Sequence, residues 1–177
     1  DHLEFPECEP WGPYLQVQYE KEVAGFFISG HPLDEYKTII RNYTNATLTQ
    51  VNDEEFLKKQ VASGKSFAFA AIVTEATTRM TKRGTEFGII NFEDQSTTWK
   101  WSIFGEEYAQ FKHFFESNKR LFIRARVEVR QWWDKEKKEQ IVHYEVKPME
   151  IHFLEDAYEK LCKEVRLVVG IKDVSRD

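Results

Sequence analysis

Cysteines, metal-binding histidine pairs and long apolar runs are scarce in this 177-residue sequence, and each scarcity excludes a class of protein. Cys8 and Cys162 are the two cysteines and lie far apart, so neither a disulfide framework nor a cysteine-based zinc site is indicated. No apolar run approaches the ~20 residues that a membrane-spanning helix needs, and no hydrophobic signal segment opens the chain. We therefore expect no membrane partner and a reducing, cytoplasmic location.

Recognisable catalytic patterns are also missing. None of the histidines forms a His-x-His or His-x-x-x-His pair; they are His2, His31, His113, His143 and His152. The Gly64-Lys65-Ser66 triplet lacks the upstream glycine of a phosphate-binding loop. The Ser29-Gly30-His31 turn follows no strand, so we interpret His31 as a cap for a helix that begins at Pro32. The sequence predicts no catalytic residue, no metal site and no cofactor.

Charge is distributed unevenly along the chain. The formal net charge is -5, which argues against a general nucleic-acid-binding surface. Residues 1–65 carry a net charge of -5, residues 66–152 carry +1, and residues 153–177 carry -1. The central region is therefore the least acidic part, and its local basic loops matter more than the total.

Five β-strands and one helix are predicted in this central region. The strands are the apolar or alternating segments Phe67–Arg79, Glu86–Glu93, Thr97–Phe104, Arg120–Arg130 and Gln140–Lys147. Between the third and fourth strands, aromatic residues recur at helical spacing within Gly105–Ser117. This order is typical of a mainly β fold, the five-stranded oligonucleotide-binding (OB) barrel, and we expect a closed or nearly closed barrel with the helix over one end.

Short helices are predicted on both sides of the barrel. The segments are a stripe from Leu15 to Phe27, a helix from Pro32 to Tyr43, another over Asn52–Gln60, and a helix over Glu155–Lys163 followed by a strand over Val165–Ile171. We divide the chain into an N-terminal extended segment with helices (1–65), the OB domain (66–153), and a helix and strand that begin the next unit (154–177).

The loop between the first two predicted strands is the first candidate binding element. Lys82 and Arg83 lie at its centre between Thr81 and Gly84, and Arg79 lies at its base. In OB barrels this loop and the one between strands four and five frame the ligand, so the cations are placed to contact phosphates. The alternative interpretation is a solvated hairpin turn.

Alternation assigns the aromatic residues of strands two and three to opposite faces. Trp99 and Trp101 share the apolar face, which we assign to the barrel core rather than to base stacking. Lys100 then faces outward onto the expected binding surface. On strand two, Phe87 also faces outward and is the candidate for stacking on a base.

The loop between strands four and five combines aromatic and basic residues, as single-strand binders do. Trp132 and Trp133 are adjacent and point to opposite sides if the strand continues, and Lys135, Lys137 and Lys138 follow them. Interleaved acidic residues leave a second interpretation, a charged tip that only keeps a sheet edge soluble. For the arginines on the outer face of strand four, cross-strand ion pairing is the alternative to binding; they are Arg124, Arg126 and Arg130.

Three segments resemble the bacterial replicative DNA polymerase III alpha subunit, a C-family polymerase. The segment Glu20–Tyr36, which contains Ser29-Gly30-His31-Pro32, resembles the family's glutamate-rich helix and Gly-His-Pro turn ahead of its OB domain. The stretch Val73–Gly84, with Thr81-Lys82-Arg83-Gly84, resembles its first OB strands and their turn. Cys8–Trp11 resembles the preceding stretch.

The resemblance implies an excised C-terminal piece of a polymerase subunit that holds template. The family's catalytic carboxylates lie far upstream, so the piece would be no enzyme by itself. Its partners would be single-stranded DNA and the rest of the polymerase chain; the sliding clamp and clamp loader would bind outside this segment. The alternative function is a structural or protein-interaction spacer in the replisome, which the acidic balance favours. A standalone nuclease is disfavoured because no metal-ligating cluster is present.

Overall fold

An antiparallel five-stranded sheet dominates the computed structural model, which describes residues 30–134 and 138–161. The strands are β1 (Phe67–Met80), β2 (Glu86–Glu93), β3 (Thr98–Phe104), β4 (Arg120–Asp134) and β5 (Glu139–Phe153). Their order in the sheet is β3-β2-β1-β4-β5. The first half of β1 pairs with β4 and its second half with β2, with a register shift between Val73 and Glu75. This bend lets one strand belong to both sides of the barrel.

Burial on both faces explains the continuous apolar run at the start of β1. Every residue from Phe67 to Val73 is buried. Phe67 and Phe69 point into the barrel core, whereas Ala68 and Ala70 lie in a second cluster on the outside of β1 and β4. A strand covered on both faces requires apolar residues without alternation.

Five helices and three 3₁₀ turns complete the described part of the chain. The helices are α1 (Lys37–Tyr43), α2 (Leu48–Val51), α3 (Glu54–Ser63), α4 (Gly105–Phe111) and α5 (Ala157–Leu161). The 3₁₀ turns are Pro32–Tyr36, Lys112–Phe114 and Leu154–Asp156. Leu33 and Ile39 pack with α5 in the outer cluster, so this side of the barrel is covered.

Side-chain caps fix two helix starts. The His31 ring accepts a hydrogen bond from the Leu33 amide at 3.2 Å, while the Asp34 carboxylate accepts one from the His31 amide at 3.1 Å. The predicted capping role of His31 is therefore confirmed. Asp53 caps α3 by accepting hydrogen bonds from the amides of Glu55 and Phe56.

Helix α4 closes one end of the barrel against a glycine. Tyr108 and Phe111 are buried in the barrel core. A Cβ added to Gly88 of β2 would lie 2.2 Å from Tyr108 Cε2, so only glycine admits this ring. The Tyr108 hydroxyl lies 2.5 Å from Thr78 Oγ1 and ties the helix to β1.

The structure confirms the predicted fold and corrects several bounds. The OB strand order, the helix between β3 and β4 and the flanking helices are present. Strands β4 and β5 extend to Asp134 and Phe153, and the predicted helix over Gly105–Ser117 ends as a helix at Phe111 because the next residues tighten into a 3₁₀ turn.

Some predictions lie outside the described residues, namely the Leu15–Phe27 stripe and the Val165–Ile171 strand. The domain bounds 1–65, 66–153 and 154–177 stay predictions. Core packing is continuous across position 65, since Leu48 and Leu57 join the barrel core. No helix in the described ranges is long and apolar enough to cross a membrane.

Candidate nucleic-acid interface

The turn between β1 and β2 presents two cations at its exposed apex. The Thr81 amide donates to the Thr85 carbonyl at 2.9 Å, and the Gly84 amide donates to the Thr81 carbonyl at 2.9 Å. Gly84 adopts a φ of 78°, which favours glycine, and a Cβ there would meet no atom within 4 Å. The glycine thus serves the turn, and Lys82 and Arg83 are held outward on a defined loop.

An outward-facing row of side chains crosses the three strands beside this turn. Arg79 is registered with Phe87, and Phe87 is registered with Phe104, so the three share one face. The rings of Phe87 and Phe104 stack with centroids 4.9 Å apart and planes 15° apart. Phe104 is 44% exposed, so the pair offers a flat aromatic surface next to the cations.

Lys100 lies further along the same face. It is registered with Asn91, whose amide donates to the Glu75 carboxylate at 2.9 Å. Phe104 and Lys100 are four residues apart on β3, a separation of ~13 Å. The turn cations, the aromatic pair and Lys100 therefore follow one another across the outer surface of β1, β2 and β3.

Ion pairing separates the predicted binding cations from the structural ones. Within the described residues, Arg79, Lys82, Arg83 and Lys100 have no carboxylate within 4.0 Å. The acidic neighbour of the turn, Glu86, instead lies 3.5 Å from Lys112. Cations without an acidic partner are free to contact phosphate without first breaking an ion pair.

The arginines of β4 have the opposite character. Arg124 pairs with Glu150, Arg126 with Glu128 and Arg130 with Glu145, at 3.1, 2.7 and 2.5 Å between the closest nitrogen and oxygen atoms. The alternative interpretation of these residues, ion pairing on the sheet surface, is the one the structure supports.

Beyond Ala125, β4 and β5 continue as a two-stranded arm that runs to residues 134 and 139. Trp132 is registered with Ile141 and shares its face with His143, whose ring centroid lies 6.3 Å away. Trp133 lies on the opposite face. The two side chains are 49% and 63% exposed. Both lie in β4 rather than in the predicted loop, because the strand continues to Asp134.

A cleft lies between β3 and β5, the two strands at the ends of the sheet order. In the described part of the chain no backbone hydrogen bond joins these strands, although Trp101 Nε1 donates to the Val146 carbonyl at 3.0 Å. The cleft has a volume of about 280 Å³, and both Lys100 and His143 line it. Trp132 lies beside His143, one of the residues that line this cleft with Lys100, so we expect Trp132 rather than Trp133 to face the groove.

A buried lysine next to the same seam links β5 to α4 by ion pairs. Lys147 of β5 is 7% exposed, and its ammonium lies 2.8 Å from Glu107 Oε2 of α4 and 3.0 Å from Glu145 Oε1. Burial lowers the pKa of Lys147, but the hydrogen bonds to Glu107 and Glu145 outweigh it and leave the pKa above its ordinary value. The lysine therefore stays charged and joins α4 to β5.

The candidate residues are spread out along the barrel surface. Strand register places Lys82 and Arg83 at the β1–β2 end of the surface and Trp132 and Lys138 at the arm end, with Lys100 between them. The candidates line an extended path, because β4 and β5 run past the barrel. Lys135 and Lys137 lie outside the described residues, and Lys138 is exposed in the turn before β5.

Two residues on this path were missed from the sequence. Phe104 has the outward parity of Lys100 and Ser102, so alternation on β3 was sufficient to find it. His143 has no sequence signal, because its place depends on the register of β4 with β5. No group of three or more histidine, cysteine, aspartate or glutamate side chains in the described ranges is arranged to hold a metal ion.

The solved structures that resemble this chain share little sequence identity with it. No protein-family model matches the chain. The single-stranded-DNA-binding (SSB) domain of a Synechococcus protein covers 49% of this chain and 92% of that chain, at a TM-score of 0.33 and 13% identity. The mitochondrial single-stranded DNA binding protein Rim1 of S. cerevisiae covers 51% of this chain and 92% of that chain, at a TM-score of 0.34 and 9% identity.

Sequence relatives are more informative. The chain is 26% identical over 124 residues to the DNA polymerase III subunit alpha of Escherichia coli O157:H7 and 25% identical over 125 residues to that of Halalkalibacterium halodurans. These matches cover 70% and 71% of the chain and 10% of each relative's length. The Aquifex aeolicus subunit is 29% identical over 110 residues, covering 62% of the chain and 9% of the relative. The resemblance to the bacterial DNA polymerase III alpha subunit that the motifs predict is thereby confirmed, with this chain similar to a segment of about one tenth of that subunit.

Proposed function

We propose that this chain is a non-catalytic, single-stranded-DNA-binding OB module of a bacterial replicative DNA polymerase. The observation that carries the proposal is that one outer face of the barrel holds an exposed aromatic pair together with cations that have no acidic partner among the described residues. Arg79 lies beside the stacked rings of Phe87 and Phe104, and Lys82 and Arg83 lie in the turn that follows β1. Single-strand binders combine these two elements, because phosphates need cations and unpaired bases need flat apolar surfaces.

We expect this path to bind a template strand weakly and to position it. A net charge of -5 keeps the long-range field unfavourable for DNA, so attraction depends on the few cations along the path. Weak intrinsic affinity is sufficient when the attached polymerase holds the strand nearby at high local concentration. The module then contributes position without slowing the movement of the strand.

Similarity to a segment of the polymerase subunit supplies the setting of the proposal. The parent chain would carry polymerase activity in its own palm domain, in the cytoplasm. The sliding clamp and the clamp loader would engage regions outside this segment. The module itself would bind DNA and catalyse no turnover.

A structural spacer without significant DNA binding is the second candidate. The acidic balance and the ion-paired arginines of β4 favour it, because both reduce the positive potential of the arm. Single-stranded DNA binding that weakens with salt separates the two functions.

The test is a titration of fluorescein-labelled oligo-dT at several salt concentrations, followed by anisotropy. Replacing Lys82 and Arg83 by glutamine should weaken binding and flatten the salt slope by up to about 1.4, since each lost phosphate contact on a single strand removes ~0.7. Phe87→Ala should reduce affinity at an almost unchanged slope, because stacking releases few counterions.

A matched control has the same charge change on the covered side of the barrel. Arg41 of α1 and Lys160 of α5 are exposed and, within the described residues, have no carboxylate within 4.0 Å. Replacing both by glutamine should leave the salt slope near that of the wild type. Absence of wild-type binding even at low salt, or equal slopes for the two double variants, would refute the DNA-binding function in favour of the spacer.

A further inference from the structure

The seam between β3 and β5 has free backbone edges. These strands end the sheet order, and in the described part of the chain no backbone hydrogen bond joins them. The Val146 carbonyl points into the seam, because it accepts the hydrogen bond of Trp101 Nε1. Backbone groups two residues apart on a strand point the same way, so the N–H and C=O of Tyr144 also face the seam. The seam therefore holds backbone donors and acceptors that no neighbouring strand uses.

The cleft in this seam has room for one flat ring system. Its volume of about 280 Å³ is just below the ~300 Å³ at which ordinary small-molecule pockets begin. Val51 and Leu57 of the α2–α3 region line its floor, and Trp99 and Tyr144 supply aromatic walls. An extended peptide would not fit as an extra strand, because the Trp101–Val146 hydrogen bond already bridges the seam.

The rim of the cleft is polar and lies on the proposed DNA path. Lys100 and Ser102 line it from β3, and His143 and Glu145 line it from β5. Lys100 has no carboxylate within 4.0 Å among the described residues, whereas Glu145 is held by Arg130 and Lys147. A phosphate at Lys100 would leave its nucleotide next to the mouth of the cleft, where the base meets aromatic walls and fixed polar groups.

We propose that one base of the bound single strand inserts into the cleft between β3 and β5. This inference rests on the proposed function and adds a base-binding pocket to it. The strand would run from the Phe87–Phe104 pair past Lys100 and turn one base inward between Trp99 and Tyr144. Aromatic walls accept any base, so the pocket fixes the register of the strand rather than its sequence.

Filling the cleft tests the pocket. Ser102 is exposed on the outer face of β3 and lines the cleft, so Ser102→Leu would occlude it. Thr98 is exposed on the same face of the same strand and does not line the cleft, so Thr98→Leu is the matched control. In the oligo-dT titration, Ser102→Leu should weaken binding by at least about five-fold, and Thr98→Leu should stay within about two-fold of the wild type.

A second readout follows the base itself. One thymine at a time in a short oligo-dT is replaced by the fluorescent base 2-aminopurine, and acrylamide quenching is measured in the complex. One position should be shielded on wild type and on Thr98→Leu, and exposed on Ser102→Leu. Thermal unfolding of each variant verifies that the barrel is intact.

The outcomes separate the pocket from the proposed function. If wild type binds with a salt slope that depends on Lys82 and Arg83, but Ser102→Leu behaves like Thr98→Leu or no position is shielded, the pocket is wrong and the function stands. If wild type does not bind at low salt, the function and the pocket fail together.

Discussion

Neighbouring residues of one strand can have opposite roles, and Trp132 and Trp133 are an example. Both are large, aromatic and well exposed. Trp132 lies beside His143, which lines the cleft, whereas Trp133 lies on the other face, opposite Gln140. Exposure alone would rank Trp133 higher, but the proposed DNA path distinguishes the two rings by the direction of their side chains.

Single alanine substitutions at these two positions provide a direct comparison. Trp132→Ala should weaken oligo-dT binding by the ~1–3 kcal/mol typical of one base stacked on an aromatic ring. Trp133→Ala should leave the affinity within about two-fold of the wild type. Anisotropy titrations at low salt measure both. Equal losses, or a larger loss for Trp133→Ala, would contradict the placement of the DNA path on the Trp132 face.

At the scale of the elements, strand alternation and strand length differ in how well the sequence predicts them. The faces of β2 and β3 were predicted correctly, because one side of each strand is buried and burial imposes a period of two. The end of β4 was not, because the arm leaves the core and both faces carry polar residues there. The arm's charged cross-strand pairs look like a solvated loop when the sequence is read alone. The end of β5 was not, because Pro148 and the register shift beside it interrupt the alternation before Ile151.

The candidate site was likewise predictable only in part. The turn cations and Lys100 follow from the strand order and alternation, which are local properties. His143 and the cleft follow from the register of β5 and from the unladdered seam with β3, which are set by tertiary packing. The ion pair between Lys147 and Glu107 joins residues 40 positions apart, so no local sequence pattern predicts it.

The docking of α4 on β2 depends on the missing side chain of Gly88. A methyl group there would lie 2.2 and 2.6 Å from two ring carbons of Tyr108, so the ring and helix must move. Gly88→Ala should therefore reduce the free energy of unfolding by about 1–3 kcal/mol, as overpacking does. Urea denaturation measures the loss.

A double-mutant cycle identifies the cause of this loss. Tyr108→Ala removes the ring, so adding Gly88→Ala to it should cost clearly less than Gly88→Ala costs alone. Strictly additive losses would mean that the alanine acts elsewhere than at the contact with Tyr108.

At the scale of the whole molecule, closure of the barrel depends on side chains where the backbone ladder is missing. Trp101 and Val146 bridge β3 and β5 directly, and Lys147 joins β5 to α4 through Glu107. Side chains thus bridge the opening between β3 and β5, and the stability of the barrel depends on these contacts.

Lys147→Met tests the link between β5 and α4 and its dependence on pH. The variant leaves Glu107 without this cation, while Glu145 keeps Arg130. It should reduce the free energy of unfolding at pH 7 by about 1–3 kcal/mol, less than the loss of one partner of a fully buried pair. Burial lowers the pKa of Lys147 and the hydrogen bonds to Glu107 and Glu145 raise it, with a net rise above the ordinary 10.5. A group whose pKa is raised on folding stabilises fully below its unfolded pKa and loses that contribution as the pH rises through the folded value.

The difference between wild type and Lys147→Met should therefore stay constant from pH 7 to about 10 and shrink only above that. Urea denaturation across this range measures it. Lys58→Met is the control, since Lys58 pairs with Glu54 and Glu55 on the surface of α3, where solvent screens the pair and its contribution to stability is small. A difference for Lys147→Met that fades between pH 7 and 9, or that is no larger than the control, would show that the lysine is not a charged link; the seam would then depend on Trp101 and on core packing alone.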